Sequence, residues 1–277
     1  MSYNIKLRKL LLNPETLLGR CVLRVLEIYD FFRFVYKTCH QYCSPYPRFS
    51  FFYRQFIEIG IKSIPIVLVV GAFVGMVLAV MTYQQFSKLG IESMMGPFIA
   101  VPMVSQLGPI MTALMILCRV GSAMTAELGS MRVTEQIDAL HCFGINPIRT
   151  LVVPRTLVCA LMLPALTVLS DVIGIIGGWF LGVYVFNINE SYYLEKTRLY
   201  FQAYDVYVGL IKALVFGLII SMFCCFKGYT TRGGASGVGK SIMEAVVVAF
   251  IAIIVINFVM SLMATAIWYR YFEVTRA

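Results

Sequence analysis

Charge is scarce in this sequence. Charged side chains make up 13% of its 277 residues, where a soluble domain carries ~25%. Hydrophobic residues reach 60%, and the mean hydropathy is +0.82. A soluble fold is excluded; the chain is expected to be a polytopic membrane protein of one helical domain. Histidine is scarcer still, with His40 and His141 the two in the chain. No HExxH motif and no Ser/His/Asp or Cys/His arrangement is present, so catalysis has little to stand on. Eight cysteines form no CxxC pair and lie mostly in apolar segments, where they read as small buried hydrophobes. Cys39-His40-Gln41-Tyr42-Cys43 is the one cluster resembling metal ligands, and without a second cluster no metal site is expected. A short apolar core followed by a small-residue cleavage site is also missing from the N-terminus, so no signal peptide is expected.

Where charge is absent, the chain is long enough to cross a bilayer. Uncharged or nearly uncharged runs cover 63–87, 93–118, 155–186, 206–226 and 245–269. At 1.5 Å per residue, about 20 residues cross ~30 Å of hydrocarbon. Gly108-Pro109 should kink the second run. The 187–204 stretch reads as a loop with a short helix. Ahead of these runs, Asn13-Pro14-Glu15 reads as a helix start. Arg20, Arg24, Glu27, Asp30, Arg33 and Lys37 then recur every three or four residues, opposite Leu18, Val22, Val25, Ile28, Phe32 and Val35. That pattern predicts an amphipathic helix lying in the membrane interface. Ser44-Pro45-Tyr46-Pro47 should break it before a second short piece at 50–62. The domain division is thus 1–62, an interfacial and cytoplasmic N-terminal segment, and 63–277, the transmembrane domain.

Five spans place the two termini on opposite sides. With a cytoplasmic N-terminus, 17 Lys and Arg lie inside and 5 outside, which sets the orientation by the positive-inside rule. The net charge of +9 is then a consequence of topology and gives no ground for a nucleic-acid role.

Arg119 to Leu140 is a polar, helix-compatible island between two apolar runs. It is most simply explained as a docking element for a soluble protein. Two charges fall inside spans, Asp171 and Lys212, at compatible depths of ~24 Å from the inner edge and ~10 Å from the outer edge. They are expected to neighbour each other as a buried pair. Gln106 and Asn257 are the other polar residues at depth. Gly71-x3-Gly75 and Gly174-x3-Gly178-x3-Gly182 allow close helix approach, within the chain or across a dimer. Gly234 to Ser241 matches GxxxxGK[ST] letter for letter, but no strand precedes it and no α/β core surrounds it. It is read as a flexible cytoplasmic turn in a Gly-rich loop, 227–240, that does not bind ATP.

The run Arg119-Val-Gly-Ser-Ala followed by Glu127-Leu-Gly-Ser-Met-Arg-Val-Thr-Glu-Gln136 resembles the MlaE/YrbE permease family. Gly71-Ala-Phe-Val-Gly, Gln106-Leu-Gly-Pro, Asn146-Pro-Ile-Arg, Val153-Pro-Arg, Gly174-Ile-Ile-Gly-Gly and Gly237-Val-Gly recur in the family's order, over residues 50–270. The resemblance implies an all-α polytopic membrane protein with an N-terminal interfacial helix, five transmembrane helices and a cytoplasmic coupling helix between the second and third. It implies the permease subunit of an ABC transporter moving phospholipid or another hydrophobic molecule. Partners would be a second copy in a homodimer, a cytoplasmic ATPase subunit that binds the ATP, and an outer MCE-domain protein. Placement would be the bacterial inner membrane, with a cytoplasmic N-terminus and a periplasmic C-terminus. Glu127, Met131, Arg132, Glu135, Gln136 and Asp138 would be the ATPase-coupling residues, and Tyr83, Ser105, Gln106 and Asn257 the lipid-cavity residues. The sequence departs from the family at Cys118, usually Gly, at Ser105-Gln106, where many members have Arg-Glu, and at Asn257, Asp in some. The competing classes are a self-sufficient secondary transporter or channel energised through Asp171 and Lys212, and a membrane-embedded lipid enzyme. The first predicts inverted repeats and more midplane charges; the second lacks a nucleophile or metal set.

Overall fold

The computed structural model describes residues 17–42 and 49–276, which form helices joined by short turns, with no strand among them. The predicted helix start at 13–15, the Ser44–Pro47 break and Cys43 lie outside the described residues. The helices are α1 Leu17–Tyr42, α2 Phe49–Ile59, α3 Ile64–Phe86, α4 Met95–Val133, α5 Gln136–Cys142, α6 Ile148–Val185, α7 Glu190–Tyr200, α8 Ala203–Tyr229 and α9 Gly234–Arg276. Five stretches are long and apolar enough to cross a membrane: Phe52–Leu89, Met95–Val133, Ile148–Val185, Ala203–Tyr229 and Gly234–Trp268. All five expected spans are there; α8 and α9 outrun the uncharged run that marked them at both ends, α4 and α6 at one, and α3 sits within its run. Hydropathy marks the part that sits in hydrocarbon, whereas a helix can continue into water once its backbone bonds are formed.

Helix α4 shows this most clearly. Its 39 residues would extend ~58 Å, about twice the hydrocarbon thickness. It is not straight α-helix: Met103–Leu107 and Leu117–Gly121 are π turns. Pro109 follows the first of them, and a proline that donates no N–H is accommodated where the ladder has already been rewound.

The close glycine contacts are internal. A Cβ on Gly75 would overlap the backbone of Gly174, and one on Gly71 would come 2.7 Å from Ser170 O. The small-residue stripes of α3 and α6 therefore pack against each other within one chain. Opposite that stripe, α3 exposes Ile66, Val69, Phe73 and Val77, and α9 exposes Phe250, Ile254, Phe258 and Leu262. In water such surfaces would drive aggregation; in a bilayer they are the natural outer face.

Helix α1 meets the bundle through residues outside the apolar stripe that the sequence marks. Phe31 stacks on Phe223 with ring centroids 4.3 Å apart, and Phe34 and Thr38 are buried, while Ile28 and Phe32 are exposed. A helix this rich in aromatics has apolar groups on two sides; one meets the bundle and the other is left for the surroundings.

At the turn between α8 and α9, the structure corrects the flexible-loop expectation for 227–240. Helix α8 runs to Tyr229 and α9 begins at Gly234. Gly233 (φ +94°) and Gly234 (φ +70°) supply the reversal, a backbone region closed to most L-residues. The GxxxxGK[ST] letters are therefore the first two turns of a helix and not a loop.

Candidate functional site

Chain connectivity gathers the 133–148 segment and the 229–234 turn at one end of the bundle. The 89–95 and 185–203 connections lie at the other.

At the first end, the expected single coupling helix is two helices. Helix α4 stops at Val133, Glu135 sits in the left-handed region (φ +59°), and α5 starts at Gln136. A non-glycine residue there costs about 1–2 kcal/mol. Arg132 bridges the break to Asp138 at 2.5 Å. Helix α5 closes with Gly144 at φ +71°, where Ile145 N–H bonds Leu140 O and Gly144 N–H bonds His141 O. This double bond pattern satisfies the last carbonyls of the helix. Asn146 then accepts the Ile148 N–H through its side chain at 3.1 Å, ahead of Pro147 at the start of α6.

The six expected coupling residues divide. Glu127 is turned inward to Arg155 of α6, with Oε2 2.7 Å from the guanidinium; the arginine side chain is 4% exposed and the glutamate 43%. Met131 is half-buried against the core, and Arg132 and Asp138 hold each other. Glu135 and Gln136 are exposed and stand nearest the break. Sequence reasoning missed the neighbours Phe143 and Ile145, 79% and 44% exposed; two large apolar groups beside a Gly-Asn-Pro turn were the available signal. The helix above this end is tightly held. Thr125 donates to Cys224 O on α8 at 3.2 Å, and Gly129 of α4 approaches Thr231 and Val238.

At the opposite end lies a cavity of about 550 Å³ between α4, α8 and α9, with Phe98, Ser105, Gln106, Tyr200, Tyr204, Asp205, Ser261 and Trp268 among its walls. At its floor Lys212, fully buried, donates to Ser105 O (3.0 Å), Gln106 Oε1 (2.6 Å) and Ser261 Oγ (2.9 Å). All three ammonium protons are used, and the three acceptors come from α4 and α9, so one side chain of α8 ties the three helices together. The expected Asp171–Lys212 pair does not form. Asp171 Oδ1 lies against Gly108 and has no hydrogen-bond partner, while Lys212 is satisfied by neutral acceptors. Equal depth in the bundle did not place the two side chains on facing surfaces.

The expected lipid-cavity residues also separate. Ser105 and Gln106 line this cavity. Asn257 lies one turn from Ser261 on α9, accepting the Ser261 hydroxyl through its backbone O at 2.7 Å, and its side-chain Oδ1 is buried without a partner. Tyr83 does not join them; it stacks on Phe186 at 3.9 Å in a separate cluster with Met95 and Tyr193. That cluster seats α7, whose Tyr193 fits against Gly96 and Gly182. Burial pushes its phenol up to about 12.

The fold is thus a bundle of five membrane-length helices with a polar segment at one end and a partly polar cavity at the other. The model of the family described as Permease MlaE matches residues 52–263. A probable ABC transporter permease protein of Rickettsia typhi is 36% identical over 253 residues, covering 91% of this chain and 98% of that protein. One from Synechocystis is 42% identical over 208 residues, 75% of this chain and 79% of that protein. The chloroplastic protein TRIGALACTOSYLDIACYLGLYCEROL 1 of Arabidopsis thaliana is 35% identical over 208 residues, 75% of this chain and 59% of that protein. The chain belongs to the MlaE permease family and is an ABC transporter permease.

Proposed function

We propose that the chain is the permease of a lipid transporter whose energy comes from a separate ATPase seated on residues 134–146. The observation that carries this reading is the length of α4, 39 residues against the ~20 that cross hydrocarbon, followed by the break at Glu135 and the exposure of Glu135, Gln136, Phe143 and Ile145. A pushed surface must be rigidly connected to be useful. Here Arg155–Glu127 connects it to α6, and the Thr125 and Gly129 contacts connect it to α8 and α9. Movement of 134–146 would thus reach α4, α8 and α9, the helices that wall the cavity. The +9 charge and its 17-to-5 distribution support placing this end in the cytoplasm. The N-terminus would then be cytoplasmic and the C-terminus periplasmic, in a bacterial inner membrane. A lipid cargo is supported by the apolar cavity wall and by the lipid in the name of the Arabidopsis relative. The exposed apolar faces of α3 and α9 offer the surface for a second copy in a homodimer, and an MCE-domain protein would meet the outer end. ATP would be bound and hydrolysed by the ATPase subunit, leaving this chain without catalytic residues or a cofactor of its own.

Glu135→Arg reverses the charge at the break without touching the bundle. Co-expressed with its ATPase, the variant should retain its thermal midpoint and lose co-purifying ATPase at least about tenfold, the equivalent of ~1.4 kcal/mol. Undiminished ATPase recovery would place the docking surface elsewhere.

A further inference from the structure

We infer that the cavity between α4, α8 and α9 selects a zwitterionic phospholipid headgroup, a phosphodiester joined to an ammonium through a short linker. The inference rests on the lipid-cargo reading and adds the headgroup class. Gln106 Oε1 accepts from the Lys212 ammonium at 2.6 Å, a donor that only the amide oxygen can face. That fixes which way the amide faces and leaves its NH2 for the cavity that Gln106 lines. The floor therefore offers amide donors backed by a buried ammonium, which suits a phosphate oxygen.

Two turns back toward the start of α8 the chemistry reverses. Asp205 is the cavity's carboxylate, and Tyr204 and Trp268 pack beside it with ring centroids 5.2 Å apart. The Tyr204 hydroxyl donates to Ala264 O at 2.7 Å, which anchors the ring to α9. A carboxylate beside aromatic rings attracts an ammonium, and more so a quaternary one. Seven residues separate Asp205 from Lys212, a rise of ~10.5 Å. Asp205 thus stands about two helical turns from the level of the floor, so the phosphate and the amine of one headgroup would meet different ends of the cavity. A headgroup carrying a phosphate alone leaves Asp205 facing hydroxyls or a second negative charge. Asp205 also lies in the first turn of α8, where an acid favours the helix; that role alone would give no headgroup preference.

The test uses the full chain purified in detergent, exposed to equimolar phosphatidylethanolamine, phosphatidylcholine and phosphatidylglycerol and read by native mass spectrometry. The wild type should hold the two zwitterionic lipids about fivefold over phosphatidylglycerol. Asp205→Asn should bring that ratio near one, Asp205→Glu should keep it, and Trp268→Leu should lower the phosphatidylcholine share most. Retention of the ratio in Asp205→Glu shows that its loss in Asp205→Asn is not a folding failure. If the wild type takes phosphatidylglycerol equally well, or Asp205→Asn keeps the preference, the headgroup inference is overturned while the lipid-cargo reading stands. If no lipid is retained at all, both fall.

Discussion

Gly75→Ala is expected to lower the thermal midpoint of the purified chain by roughly 5–10 °C. The added methyl would have to occupy space taken by the Gly174 carbonyl and Cα. Those are backbone atoms of a packed helix and cannot turn aside as a flexible side chain would. The helices α3 and α6 must separate along their whole contact, and Gly71 with its neighbour Ser170 separates with them. Overpacking a filled interface costs about 1–3 kcal/mol or more. Gly239→Ala is the control. It lies in helix α9 with open space around the new methyl, so the substitution should be neutral or stabilising by up to ~1 kcal/mol through helix propensity. Equal behaviour of the two variants would mean that the α3–α6 crossing is not the close one described.

The second large effect concerns Glu127 and Arg155. Glu127→Ala should destabilise by about 3 kcal/mol, because it leaves a guanidinium that is 4% exposed without its carboxylate. Arg155→Met should cost much less. It keeps most of the side-chain volume, and the glutamate left behind is 43% exposed and can take water as a partner. The double variant should recover most of the loss of Glu127→Ala, since a stranded charge no longer exists. Thermal midpoints of the four proteins complete the cycle. If the double variant were as unstable as Glu127→Ala, the glutamate would owe its importance to something other than this ion pair.

The spans were legible because a helix in hydrocarbon has a composition nothing else shares. The α3–α6 glycines were legible as close-contact positions, though a dimer contact would have used the same spacing. What could not be read were features set by how helices face one another. Asp171 and Lys212 sit at compatible depths, yet the lysine finds Ser105, Gln106 and Ser261 while the aspartate faces Gly108. Depth follows from residue counting, but azimuth depends on how α6 and α8 are each turned about their own axes, which residue counting does not give. The break at Glu135 was hidden for a related reason. Glutamate is a good helix former, and its left-handed conformation here is spanned by the local Arg132–Asp138 bridge, a pairing six residues apart that helical periodicity does not suggest. The Walker-like letters misled about conformation: glycines at 237 and 239 are tolerated inside α9, and the turn itself needs just Gly233 and Gly234.

Energy transfer through 134–146 can be tested directly by proximity. A photoreactive residue placed at exposed Gln136, in the chain co-expressed with its ATPase, should capture the ATPase subunit on illumination. The same residue at exposed Tyr192 of α7, at the opposite end of the bundle, should not. Capture from Tyr192, or its absence from Gln136 together with exposed Phe143 and Ile145, would contradict the account.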